Sequence, residues 1–161
     1  YGEDFVKEHH LADHVQPVKC SNYVGESLDM AVREGAKGVL FVAHIGKFVK
    51  LAEGMMNTHS AYGDCRMAIL CAEAVRAGAP REVLPRILES VTTDEALRIL
   101  QEAGFLESVM QHLMEHIEGQ LTRRAAGKTQ VGAIVFSNVY GVLGQTGQAE
   151  VLLRHLQENG K

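Results

Sequence analysis

The sequence predicts an α/β protein, a three-layer Rossmann-like domain with a mostly parallel sheet and a helical insertion before the last strand. Residues 39–43 and 133–136 are apolar at successive positions, which is typical of strands covered on both faces. Stretches with apolar residues at helical spacing surround both segments. The chain has 161 residues, 46% of them hydrophobic, and is long enough for one domain with a core.

The first part of the chain is predicted as a weak strand, a helix and a strong strand. Residues 15–20 form the weak strand, because Pro17 cannot donate a ladder hydrogen bond and therefore favours an edge position. Asn22 is placed to cap the next helix, and Gly35 is placed to end it. Residues 39–43 then form a central strand of the sheet.

The middle of the chain is predicted as helical. Two amphipathic helices follow the first strong strand, and residues 80–127 form the helical insertion, with breaks at Pro85, at residues 92–95 and at Gly104. The second of these breaks has the Thr-x-x-Glu form of a capping box.

The end of the chain is predicted as a second central strand, a glycine-rich turn and a closing helix. Residues 131–136 form the strand, and residues 148–158 form the helix. We therefore expect residues 1–161 to form a single α/β domain. Because the chain begins at Tyr1 and not at a methionine, we also expect that a segment of the natural protein precedes it.

Composition argues against several classes of function. The formal net charge of -4 and the pI of about 6.1 argue against a nucleic-acid partner, so any anion site must be a local cluster. Cys20, Cys65 and Cys71 cannot all pair and show no CxxC spacing, which favours a reducing compartment, so we expect the cytoplasm. No apolar run approaches the roughly 20 residues that cross a bilayer, so no membrane partner is expected.

Polar residues follow all three predicted strands. Ser21 and Asn22 come after the first, His44 to Lys47 after the second, and Ser137 and Asn138 after the third. In a parallel sheet these strand ends lie at one edge, where α/β proteins hold ligands. Helix capping would explain any one of these sets alone, but three sets together predict a site.

The segment from Lys47 to Ser60 adds charged and polar candidates. Lys47 and Lys50 lie in the first turns of a predicted helix, where the helix dipole disfavours positive charge, so they are either anion ligands or solvated surface lysines. Four consecutive polar residues, 57–60, form either a capping loop or a binding loop around His59. Asp64 and Arg66 follow, either as a structural pair or as ligand contacts.

Two short motifs point elsewhere and are weak. His112, Glu115 and His116 match the H-x-x-E-H pattern of one zinc protease class, but the same helix has a buried apolar stripe that explains the spacing. Residues 127–129 end like a phosphate loop but precede a strand, so triphosphatase chemistry is excluded, and no G-x-G-x-x-G supports a standard dinucleotide fold.

Four segments, KCSNYVGESLDMAV, HIGKFVKLAEGMMNTHS, DCRMAIL and VFSNVYGVLG, resemble the second half of the cobalamin-biosynthesis D family, the cobalt-precorrin-5B C1-methyltransferases. The resemblance runs from Tyr1 almost to the C-terminus and is weakest over residues 80–127. Ala43 replaces a glycine that is usual in the family, and Ala61, Gly63 and Cys65 alter the segment before Arg66. The N-terminal half of the family's chain is absent.

The resemblance implies methyl transfer from S-adenosylmethionine to ring carbon 1 of a cobalt-containing corrinoid. Cobalt would arrive inside this substrate, so no metal site of the protein is implied. Lys47, Lys50 and Arg66 are candidates to bind the carboxylates of the corrinoid, and His59 and His44 are candidates for a base. The full set of predicted binding residues is Ser21, Asn22, Gly46, Lys47, Lys50, Asn57, Thr58, Ser60, Asp64, Arg66, Ser137 and Asn138.

Two other functions stay open at this point. The chain could be a corrinoid-binding or oligomerising module whose methyl-donor site lies in the absent N-terminal half, which is itself an expected partner. A homo-oligomer is compatible with either function. A zinc hydrolase built on His112, Glu115 and His116 is the third alternative, and it predicts stoichiometric zinc.

Overall fold

A computed structural model gives the structure of the protein and describes residues 1–11, 13 and 15–158. The described part contains eight α-helices, three β-strands and two short 3-10 helices. In chain order they are α1 (Gly2–Glu8), α2 (Val24–Arg33), β1 (Gly38–His44), α3 (Ile45–Phe48), the 3-10 helices Val49–Glu53 and Ser60–Tyr62, α4 (Arg66–Arg76), α5 (Val83–Glu89), α6 (Thr93–Glu102), α7 (Leu106–Ala125), β2 (Gln130–Ser137), β3 (Gly141–Gln145) and α8 (Ala149–Glu158).

The sheet is mixed, with the order β1-β2-β3. β1 and β2 are parallel, with Gly38 opposite Gln130 and His44 opposite Phe136. β2 and β3 are antiparallel, with a register shift between Val135 and Phe136. The α/β class is confirmed, but the mostly parallel arrangement is not, because one of the two strand pairs is antiparallel.

Both faces of β2 are covered, as its continuous apolar sequence predicts. Residues 131–137 are all buried. Val131, Ala133 and Val135 belong to the main core with the middle helices, whereas Ile134 and Phe136 pack in a second cluster with Phe5 of α1 and Ala149 of α8. Helices therefore lie on both sides of the sheet.

β1 is an edge strand in the described sheet, and this corrects the expectation that it is central. Phe41 is its one buried residue. An apolar run without polar alternation indicates that both faces of a strand are covered, and α1 and α8 do contact β1. Such a run does not indicate how many strands pair with it.

Two further predictions about strands were wrong. Residues 15–20 form no strand, and Val18 is 90% exposed. Pro17 cannot donate to a ladder, and Cys20 is the residue of this run that packs against the core. β3 was missed because its two glycines indicated a turn. Residues 138–140 in fact form a short hairpin loop, and Gly141 begins β3 with a φ of 68°.

The helical region between β1 and β2 supplies most of the core. α7 buries an apolar stripe, as predicted, and contacts α4, α6 and the 3-10 helix Val49–Glu53. The stripe consists of Val109, Leu113, Ile117 and Leu121. Among the described helices, none combines the length and the apolar character that crossing a bilayer requires.

The helix ends agree with the predicted breaks, with one exception. Thr92 Oγ1 accepts a hydrogen bond from the Glu95 amide at 3.2 Å, and the Glu95 carboxylate accepts one from the Val91 amide at 3.0 Å. Gly104, with a φ of 78°, separates α6 from α7. Pro85, however, lies inside α5, in the first turn, where a missing backbone donor costs nothing.

We expect Gly132→Ala to lower the free energy of unfolding by about 1–3 kcal/mol, because the site cannot hold another carbon without moving backbone. A Cβ at Gly132 would lie 3.0 Å from the Ala149 backbone nitrogen at the start of α8. Urea unfolding is the measurement. Gly119→Ala in α7 is the control, since nothing lies within 4 Å of its Cβ position, and it should stabilise by about 0.5–1 kcal/mol. Equal stability of the two variants would contradict the prediction.

Candidate functional site

The carboxyl ends of β1 and β2 lie side by side. His44 ends β1 opposite Phe136, and Ser137 ends β2 one residue later. The rings of His44 and Phe136 are nearly perpendicular, with centroids 5.6 Å apart, and the centroid of the Tyr1 ring lies 5.8 Å from that of His44. The parallel pair therefore brings two of the three predicted polar sets to one edge of the sheet.

His44 is the N-cap of α3, and this fixes its tautomer. Its Nδ1 accepts a hydrogen bond from the Gly46 amide at 3.0 Å. Burial lowers the pKa of His44 below its usual value, although the carboxylate of Asp94 opposes that shift. A neutral imidazole that accepts at Nδ1 carries its proton on Nε2. His44 thus offers a hydrogen-bond donor to a ligand, and not the free lone pair of a general base.

Gly46 brings the start of α6 close to His44. A Cβ at Gly46 would lie 3.2 Å from His44 Nδ1 and 3.6 Å from Thr93 Oγ1. The first turn of α6 is therefore part of the His44 surroundings, and Asp94 lies in that turn. Thr93 and Asp94 were not among the predicted site residues.

The polar loop 57–60 is held by its own side chains. Asn57 Oδ1 accepts the His59 amide at 3.1 Å, and His59 Nδ1 accepts the Ala61 amide at 3.0 Å. His59 is therefore the N-cap of the 3-10 helix Ser60–Tyr62, and its neutral ring carries the proton on Nε2. His59 is exposed, so its ring is accessible to a ligand.

The sequence predicts that Asn22 caps α2, but the structure shows no such cap. Asn22 instead joins the loop to the segment after residue 20. Its Oδ1 accepts from the Thr58 hydroxyl at 3.1 Å, and its carbonyl accepts from the Thr58 amide at 3.0 Å. Tyr23 and Asn57 form an isolated antiparallel bridge beside them. Thr58 is buried. The hydrogen bonds between Thr58 and Asn22, both predicted site residues, therefore anchor the loop.

Lys50 also binds the loop through its buried ammonium group. It is 3% exposed, and its ammonium donates to the Thr58 carbonyl at 3.2 Å and to the Gly63 carbonyl at 2.8 Å. The helix predicted around it is in fact a short α-helix followed by a 3-10 helix that ends at Gly54, with a φ of 80°. The geometry explains the buried charge without an anion, so Lys50 positions the loop.

Asp64 and Arg66 form a two-bond ion pair after the loop. Arg66 Nε and a terminal nitrogen of its guanidinium each donate to one carboxylate oxygen at 2.7 Å. These hydrogen bonds lower the pKa of Asp64 to about 2. Asp64 is exposed and Arg66 is half-buried, so the pair lies at the surface next to the loop.

We expect this pair to survive until the pH approaches 2. Because the pKa of Asp64 in the folded protein, about 2, lies below the ordinary value, its contribution to stability is present above about pH 4 and is lost as the pH falls toward 2. Carboxyl-carbon NMR of Asp64 measures the titration directly. The Arg66→Gln variant should return the pKa to the ordinary range, and an unchanged value in that variant would show that another group causes the shift.

The remaining predicted residues differ in how they are used. Ser137 is buried, and its hydroxyl accepts the amides of Val139 and Tyr140 at 3.1 and 2.8 Å, so it stabilises the β2–β3 turn. Asn138 and Ser60 are exposed. Ser21 is also exposed and has a φ of 51°, a left-handed conformation that is uncommon for serine.

The structure brings the predicted residues together in two groups. The first group is the loop anchor, with Asn22, Lys50 and residues 57–60, and the second is the sheet edge, with His44, Gly46 and Ser137. Lys47 lies near Cys20: burial raises the pKa of the Cys20 thiol, and the Lys47 ammonium opposes that shift. That the two groups face one cleft stays a prediction.

In the helix that carries the H-x-x-E-H pattern, α7, His116 contacts a buried carboxylate. His116 Nδ1 lies 2.8 Å from Oε1 of Glu73, a residue that is fully buried in α4, and Arg76 donates to the same oxygen at 2.9 Å. His112 Nδ1 is 4.0 Å from Glu115. Across residues 1–11, 13 and 15–158, no cluster of three His, Cys, Asp or Glu side chains is arranged to hold a metal ion. The geometry therefore gives the zinc alternative no support.

Together these elements define a mixed α/β domain with a candidate ligand site where its parallel strands end. A model of the family described as CbiD, C-terminal domain, matches residues 57–147, more than half of the chain. The chain therefore belongs to the CbiD family.

Curated relatives match between 78% and 99% of the chain. A protein of Alkaliphilus metalliredigens (strain QYMF) named cobalt-precorrin-5B C(1)-methyltransferase is 38% identical over 160 residues, which is 99% of this chain and 42% of the relative. A protein of the same name from Ruminiclostridium cellulolyticum is 39% identical over 86% of this chain and 36% of its own length. One from Methanocaldococcus jannaschii is 35% identical over 78% of this chain and 35% of its own length. The chain thus spans about two fifths of the length of these relatives. No solved structure matches it significantly.

Proposed function

We propose that this chain is the C-terminal part of a methyltransferase that moves a methyl group from S-adenosylmethionine to ring carbon 1 of cobalt-precorrin-5B in cobalamin biosynthesis. The observation that carries the proposal is the match to relatives of that name across 99% of the chain. The positions of His44, Lys47 and His59 support it, because they supply polar groups suited to a carboxylate-rich macrocycle.

The chemistry asks mainly for positioning. The ring carbon supplies the electron pair for the new C–C bond, and the methyl–sulfur bond breaks with its pair going to sulfur, which becomes the neutral thioether of S-adenosylhomocysteine. Holding the two reactants in line contributes more than acid–base groups do in such a reaction. Cobalt is part of the substrate and takes no position in the protein.

The two histidines are proposed to act as hydrogen-bond donors. Each Nδ1 accepts a backbone amide, at 3.0 Å in both cases. Each Nε2–H can therefore donate to a carboxylate of the corrinoid, and Lys47 adds a positive charge nearby. Neither ring can remove a ring proton without first breaking its cap, so the earlier assignment of a base to His59 or His44 is replaced by a donor role.

The N-terminal part of the full-length protein is the proposed partner that completes the site. Relatives extend well beyond the matched region, and the described chain covers about two fifths of them. All three cysteines are free thiols, which favours a reducing compartment, and we propose the cytoplasm.

An anaerobic assay of the full-length protein tests the proposal, with cobalt-precorrin-5B and S-adenosylmethionine as substrates and residues 1–161 alone as the comparison. We expect a C1-methylated product from the full-length protein. A folded full-length protein that binds both ligands and yields no methylated product would overturn the proposed reaction.

A corrinoid-binding module is the second candidate, and the short coverage of the relatives favours it. In that case residues 1–161 would bind corrinoid but no methyl donor. Calorimetric titration of the isolated chain with S-adenosylhomocysteine separates the two functions, since measurable heat or a thermal shift indicates a donor site within this chain.

A further inference from the structure

Asp94 is a half-buried carboxylate whose charge the dipole of α6 favours, but one of its oxygens has no partner among the described residues. It lies in the first turn of α6, and its Oδ1 is buried without a hydrogen-bond partner among the described residues. A buried oxygen without a partner costs free energy, so such an atom calls for a reason.

Helix capping does not supply that reason. The start of α6 is already capped by Thr92, which accepts the Glu95 amide, and by Glu95, which accepts the Val91 amide. The side chain of Asp94 takes no part in these bonds. Nor is this turn an anion site, because the carboxylate itself would repel an anion.

The position of Asp94 links it to the sheet edge. Its neighbour Thr93 lies 3.6 Å from the Cβ position of Gly46, whose amide binds His44. The negative charge of Asp94 acts on the His44 ring, raising its pKa against the larger effect of burial. Asp94 and His44 therefore belong to one local environment.

Charge then separates the two proposed ligands. The corrinoid is rimmed with carboxylates and would be repelled by Asp94, whereas the methyl donor carries a positive sulfonium. We propose that Asp94 is a ligand-binding residue, and that its carboxylate holds the sulfonium of the methyl donor at the His44 end of the site. The corrinoid carboxylates then face Lys47 and His59. This inference rests on the proposed function and deepens it by placing the donor.

Binding of two donor forms tests the assignment, because S-adenosylmethionine carries the sulfonium charge and S-adenosylhomocysteine does not. In the full-length protein we expect Asp94→Asn to weaken binding of S-adenosylmethionine by roughly tenfold or more and binding of S-adenosylhomocysteine by less than about threefold, as a lost charge contact requires. Asp94→Glu should restore part of the difference. Glu102→Gln is the matched control, because it removes an exposed carboxylate from the other end of α6.

Two further readouts test the ligand role of Asp94 and its proximity to His44. Loss of the Asp94 charge from the first turn of α6 should lower the melting temperature only by the small amount expected for a helix-dipole contact. S-adenosylmethionine should raise the melting temperature of the parent more than that of Asp94→Asn, which a purely structural role would not produce. The pKa of His44, followed by NMR, should fall further in Asp94→Asn because the opposing charge is gone.

The outcomes separate the two proposals. If the parent protein binds neither donor form, the proposed methyl transfer falls, and this inference falls with it. If the parent binds both forms and Asp94→Asn weakens them equally or not at all, the proposed function stands and the assignment of Asp94 is overturned.

Discussion

We expect His59→Ala to slow methyl transfer by the full-length protein by about a hundredfold, the scale on which loss of one positioned donor lowers kcat. The exposed Nε2–H of His59 is the group lost, since its Nδ1 is occupied by the Ala61 amide at 3.0 Å. Single-turnover rates with cobalt-precorrin-5B measure the effect. Folding should be unchanged, because the residue is exposed.

His59→Asn is the matched control that separates the cap from the chemistry. Asparagine is a good N-cap, and its oxygen can accept the Ala61 amide in place of Nδ1, but it lacks a donor at the position of Nε2. We expect it to be as slow as His59→Ala. If His59→Asn restores the parent rate, His59 is a cap and has no role in turnover.

Lys47→Ala should instead raise KM for the corrinoid, since it removes a contact made with the ground state as well.

The second large effect is expected for Lys50→Met, which should lower the free energy of unfolding of the chain by about 2 kcal/mol or more. The methionine keeps the apolar stem of the side chain but leaves the carbonyls of Thr58 and Gly63 without their donor. Urea unfolding measures the change, and limited proteolysis of the loop around His59 should become faster.

Lys47→Met is the control for this second prediction. Lys47 is exposed on α3, so the same substitution there should change stability by no more than about 0.5 kcal/mol. A Lys50→Met variant as stable as the control would show that the ammonium does not hold the loop.

Periodicity predicted the elements that have one dominant environment. The buried stripe of α7 and the covered strand β2 follow directly from the spacing of apolar residues. β1 was placed wrongly in the sheet, because edge or centre depends on which strand lies alongside. β3 was missed, since Gly141 and Gly144 are typical of turns and its pairing to β2 is a tertiary contact.

The candidate site shows the same limit. Sequence position identified His44 and His59, and the structure shows both rings with Nδ1 committed to a cap, which no pattern could indicate. The sequence likewise assigned Asn22 to a helix cap. In the structure both oxygens of Asn22 accept hydrogen bonds from Thr58, which lies 36 positions away in the chain. For Asp94 a signal was available: the capping box accounted for Thr92 and Glu95 and left the aspartate between them unexplained.

The pairing of β1 with β2 also bears on how the molecule folds. Gly38 meets Gln130 and His44 meets Phe136, so nearly all of the helical region lies between the paired strands. Closing such a large loop costs entropy that only the finished pairing offsets, whereas contacts among α4, α5, α6 and α7 are close in sequence. We therefore expect the helices to assemble first and the sheet to close late on the folding pathway. His44 and Ser137 would meet in that late step, so the candidate site would be assembled at the end of folding.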